Sequence, residues 1–102
     1  MKLVIIPIDG AVYVDDYSYS RIDLTLCNIP ANVHALQWNG VKGWIEFTED
    51  ENFNKPDNQI ITELPSWANQ AKIKWDEAKR NEETFLNFIS ENQPQTSGTQ
   101  TL

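Results

Sequence analysis

The chain of 102 residues is poor in the side chains most chemistry needs. It has one histidine, His34, and one cysteine, Cys27, so a zinc site built from several Cys and His ligands is excluded within one subunit. No intrachain disulfide can form, and the composition is that of a reducing compartment with a buried, inert thiol. The four glycines, Gly10, Gly40, Gly43 and Gly98, fall in no GxGxxG or GxxxxGK pattern, so no phosphate cradle is encoded. No apolar run approaches the ~20 residues of a membrane-spanning helix. The opening run Leu3 to Ile8 is too short for the apolar region of a secretory leader and meets Asp9 at once. An intracellular product is therefore expected.

Basic charge is also scarce. Eight Lys and Arg stand against fifteen Asp and Glu, for a net charge of −7. This argues against binding nucleic acid or an anionic membrane through a broad basic surface, and leaves basic proteins as partners. Apolar residues make up 40% of the chain, enough for one small domain.

The first half of the chain is patterned as short strands. KLVIIPI, Asp9-Gly10 and AVYV form a hairpin signature, since the dipeptide tolerates positive φ between β-branched runs. A two-residue loop pairs Ile8 with Ala11, Ile6 with Tyr13 and Ile5 with Val14. Pro7 lacks an amide for the ladder, which predicts an edge position for this strand. Asp15-Asp16 is a second turn candidate, YSYS a short strand, and Arg21 to Leu26 a strand or extended loop.

HALQWNGVKGWIEF is the strongest hairpin. A loop of Asn39-Gly40 or of Asn39 to Lys42 gives the same parity, with Leu36 and Trp38 sharing a buried face with Ile45 and Phe47. In the longer-loop register Trp38 lies opposite Gly43 and covers its bare backbone. His34 falls on the Trp38 face and reads as a structural residue. Trp44 points the other way, with Ala35, Gln37 and Glu46. Packing beneath the C-terminal helix is the expected cover for Trp44; contact with a sugar ring or a partner protein is the alternative.

TEDENFNKPDN, Thr48 to Asn58, is an acidic loop. Asp50, Asn52 and Asn54 match the first ligand positions of an EF-hand, but Lys55 replaces its glycine and Ile61 its bidentate glutamate, so no metal is expected. QIITEL is a last strand candidate. From Ser66, placed as a cap, to Asn92 there is no Gly or Pro, and Ala, Lys, Glu, Gln and Arg abound. A helix over this span reaches ~40 Å, more than a small domain needs.

Along that helix Ala68, Ala71, Trp75, Ala78, Glu82, Phe85 and Ile89 are spaced alternately by three and four residues, the seam of a coiled coil. The first half is expected to pack on the strands. Phe85, Leu86, Phe88 and Ile89, beyond the charged run DEAKRNEE, suit contact with another chain. Candidate partner-binding residues are thus Trp44, Glu82, Phe85, Leu86, Phe88 and Ile89. No catalytic residue is selected by any spacing, and no cofactor is implied.

Three blocks in order, MKLVIIPIDGAVYVDD, NIPANVHALQWNGVKGWIEF and ITELPSWANQAKIKWDEA, resemble a group of small bacteriophage proteins found among tail and tail-fibre genes. The resemblance runs from Met1 to about Ala78 and carries no catalytic residue. It implies a virion-associated or assembly role. The combined expectation is an α+β fold: an antiparallel meander of five or six short strands over residues 1–65, a helix over 66–92 and a flexible tail over 93–102. The expected function is a structural protein of a phage tail or tail fibre, binding other virion proteins, or itself, through its C-terminal helix and tail, in the virion and earlier in the host cytoplasm. A tail-fibre assembly chaperone and a carbohydrate-binding module using Trp44 are the alternatives.

Overall fold

The computed structural model describes residues 1–92; the expected tail over 93–102 lies outside them. Six antiparallel strands form one sheet: β1 (Leu3–Ile6), β2 (Ala11–Val14), β3 (Tyr17–Tyr19), β4 (Val33–Trp38), β5 (Gly43–Phe47) and β6 (Gln59–Ile61), followed by a single helix, α1 (Ser66–Asn92). The order across the sheet is β3-β2-β1-β4-β5-β6. The α+β class and the strand-then-helix order are those expected from the sequence.

The first hairpin differs in register. Ile6 pairs with Ala11 and Ile5 with Val12, two residues away from the expected pairing, because Pro7–Asp9 leaves the strand as a 3-10 turn capped by Gly10. Proline suits the first position of such a turn, where no amide is required. Gly10 has φ 58°, and a Cβ there would lie 2.6 Å from the Ile22 carbonyl oxygen, so the position demands glycine twice over. With Pro7 removed from the ladder, β1 is central, not an edge: it pairs with both β2 and β4. Asp15 and Asp16 both take left-handed conformations, φ 49° and 70°, as a two-residue hairpin turn requires. The Lys2 amide holds the Asp15 carboxylate at 2.8 Å. Arg21 to Leu26 is loop, ending in a short 3-10 turn over Thr25–Cys27.

In the second hairpin Trp38 pairs with Gly43 and Leu36 with Ile45, the longer-loop register. Asn39 selects it: its side-chain oxygen accepts the amides of Val41 and Lys42 at 3.0 and 2.9 Å, an Asx arrangement that closes four residues. The ladder shifts between Val33 and Ala35, which puts His34 at a bulge. His34 is exposed there, contrary to its expected place beside Trp38, since a bulged residue drops out of the alternation.

One face of the sheet carries Leu3, Ile5, Val12, Val14, Leu36, Trp38, Ile45 and Ile61, all buried. The helix covers that face with Trp67, Ala68, Ala71 and Trp75. Alanines at 68 and 71 let its backbone approach the sheet, and the tryptophans fill the space on either side. Its first amide bonds, from Ala68 and Asn69, go to the Pro65 carbonyl at 3.0 and 3.3 Å. Pro65 therefore occupies the capping position expected of Ser66, which is already helical.

A candidate docking surface on the helix beyond the sheet

The helix runs across the strands instead of along them. Trp67 borders Ile61 and Leu64 by β6. Two turns on, the Trp75 indole N–H donates to the Tyr17 carbonyl oxygen of β3 at 2.9 Å. Tyr17 and Tyr19 meet Trp75 edge-on, with ring centroids at 6.2 and 5.7 Å. Both tyrosine hydroxyls donate to the same Glu82 oxygen, Oε1, at 2.9 and 2.8 Å. Lys79 lies over the Tyr17 ring at 5.5 Å, a cation–π contact that braces the same corner. The Tyr19 hydroxyl is pushed up far beyond its ordinary range, first by burial and then by the Glu82 carboxylate it bonds.

Glu82 is thus drawn into the protein's own fold, bonded to both tyrosines of β3. β3 is the edge strand, so the residues that follow continue past it. Ten residues, 83–92, add ~15 Å of helix at 1.5 Å each. Phe85, Leu86, Phe88 and Ile89 on this stretch are 61%, 57%, 61% and 38% exposed. They prolong the stripe that is buried upstream, because Trp75, Ala78, Glu82, Phe85 and Ile89 keep one helical face. Four large apolar side chains within five residues form a contiguous patch, a feature that marks contact surfaces.

Trp44 has a different setting. The helix that was expected to cover it packs on the opposite face, leaving Trp44 40% exposed with its indole N–H donating to Glu46 Oε2 at 2.8 Å. The registers align Tyr13, Val4, Gln37, Trp44 and Ile60 in one row across five strands. Parity placed Trp44 on that side; the rest of the row follows only from how β1 and β6 join the second hairpin.

Several other polar groups shape the fold. Asp50, first in the calcium-like spacing, accepts the amides of Asn52 and Asn54 at 2.8 and 2.9 Å, and so shapes its own loop. A shallow cleft of about 570 Å³ at one end of the sheet is bordered by Asp9, Arg21, Asp23 and Thr25. Within it the Asp23 carboxyl is held below its ordinary range by hydrogen bonds from the Thr25 side chain and amide. The Cys27 thiol is buried, and burial raises its pKa, away from a reactive thiolate. Among the described residues no three His, Cys, Asp or Glu side chains gather as a metal site needs. No helix there is long and apolar enough to cross a membrane.

Compared with protein families, curated proteins and solved structures, the chain matches none of them.

Proposed function

We propose that this chain is a structural protein of a bacteriophage particle, in the tail or tail-fibre region, which holds neighbouring virion proteins through the distal part of α1. The observation that carries the docking role is the exposure of Phe85, Leu86 and Ile89 on a helix that outruns its own sheet. A helix needed only to close this core has done so by Trp75 and Glu82. Ten further residues with an apolar face are explained by a second chain. The phage setting rests on the sequence resemblance alone.

Mass spectrometry of purified particles tests the reading. The protein should be present at a fixed copy number, and a phage carrying Phe85→Ser with Ile89→Ser should lose it. Absence from particles of the parent phage sinks the structural role. Absence from particles combined with a raised soluble yield of co-expressed tail fibre instead assigns the chain to assembly, as a chaperone released before completion.

A further inference from the structure

We infer that the open face of the sheet binds an uncharged carbohydrate chain, with Trp44 as the surface on which one sugar ring stacks. The inference is independent of the docking role given to α1.

Trp44 stands on the face opposite the helix and is 40% exposed. Its indole is anchored by the 2.8 Å bond from Nε1 to Glu46 Oε2, so little side-chain freedom is left to lose on binding. An indole offers a broad apolar plane. The C–H groups on one side of a pyranose ring form a matching apolar face, with hydroxyls at its rim. A shallow depression of about 110 Å³ beside the ring is bordered by Lys2, Gln37, Asn39 and Lys42. Gln37 is the cross-strand neighbour of Trp44, and its half-buried side-chain amide has no hydrogen bond among the described residues. An amide both donates and accepts, as a sugar hydroxyl does. The Lys42 ammonium is likewise free of partners among the described residues and adds donors at the rim. An aromatic wall with a few polar groups converging on it is the chemistry of a small-ligand site.

The strand register extends the site along a line. Trp44 faces Gln37, Gln37 faces Val4 and Val4 faces Tyr13. The second aromatic therefore lies three strands from the first, about 14 Å away at ~4.8 Å per strand. Tyr13 is half-buried, and its hydroxyl has no hydrogen bond among the described residues. No single sugar ring spans that distance. A chain of linked rings lying across the strands does, with Trp44 at one end, the Gln37 amide between and Tyr13 at the other. Ile60, 69% exposed beside Trp44 on β6, extends the apolar surface at the first end.

Charge selects an uncharged chain. Lys2 is paired with Asp16 at 3.0 Å, and Lys42 is balanced by Glu46, so the groups around the ring carry no net charge. The molecule as a whole carries −7 and repels an acidic polysaccharide. A protein is the poorer match, because the centre of a protein interface is depleted of charged residues, whereas Lys2, Lys42 and Glu46 border Trp44.

The test places the full chain on an array of defined neutral and acidic oligosaccharides, followed by calorimetric titration with the longest neutral one retained. Its affinity should be the same at low and high salt. Trp44→Ala should weaken it about ten-fold or more; Trp44→Phe, which keeps an aromatic plane, should weaken it less. Tyr13→Ala should weaken the oligosaccharide but not the disaccharide of the same sugar, since only the longer chain reaches both rings. Gln37→Leu keeps the volume and removes the amide; it should weaken binding too, and decides the matter if the tryptophan variants lose their circular dichroism spectrum. Retention of no neutral glycan, or a titration that neither Trp44→Ala nor Gln37→Leu changes, overturns the inference. Retention of acidic glycans alone, lost at high salt, overturns the uncharged ligand. If Trp44→Ala is missing from purified particles that hold the parent chain, the face is a protein contact and the inference falls. None of these outcomes bears on α1, whose reading is tested through Phe85 and Ile89.

Discussion

Gly43 has no room for a side chain. A Cβ there runs into the Gln37 carbonyl group and lies 2.9 Å from the Trp38 Cα, both backbone atoms of the paired strand, which cannot swing aside. Gly43→Ala should therefore cost about 1–3 kcal/mol, read as a lower urea midpoint with an unchanged slope. Tyr19 makes a second prediction at this scale. Its folded pKa is raised, so the fold favours the protonated phenol. The stability it lends is complete below the ordinary tyrosine value of about 10 and is lost as pH rises above it. Melting temperature followed from pH 8 upward should fall above about pH 10 in the parent and fall less in Tyr19→Phe. An identical decline in both would remove the tyrosine–Glu82 contact as its cause.

At the scale of elements, the helix divides into a half that holds the fold and a half that does not. Trp75→Ala opens the contact with Tyr17 and Tyr19 and should cost about 3–5 kcal/mol. Phe85→Ser lies beyond the sheet and should change stability by no more than ~0.5 kcal/mol. Equal losses in thermal unfolding would show that the distal half is packed after all. The helix, the hairpins and the buried faces were legible in the sequence because strand parity has period two. Moving the first hairpin by two residues left Ile5 and Val12 facing the core. The 3-10 turn at Pro7 and the bulge at His34 were not legible, as each depends on how β1 and β4 meet across the sheet. The role of Glu82 was half visible: an acid interrupting an apolar seam asks for a buried donor. The YSY strand supplies two donors, 65 and 63 residues away along the chain, and reaches Glu82 only through the fold.

Over the described residues one sheet face is closed by the helix and the other carries the Trp44 row. The two surfaces separate experimentally. Trp44→Ala should leave the chain in purified particles, whereas Phe85→Ser with Ile89→Ser should remove it from them. If Trp44→Ala alone lost binding to glycans that the parent retains, the outer sheet face would have a recognition role of its own. The overhang of α1 has a last consequence, which concerns heat. Its turns after Glu82 carry exposed Phe85 and Leu86, so they stand closer than the first half to the balance between helix and coil that governs short helical stretches in water. Warming should unravel such turns well before the sheet melts. Capture of a partner then includes winding the last turns back up, so its affinity should decline with temperature more steeply than contact area alone would give. Amide exchange should be fast in the turns after Glu82 and slow before Trp75, and a bound partner should erase that step.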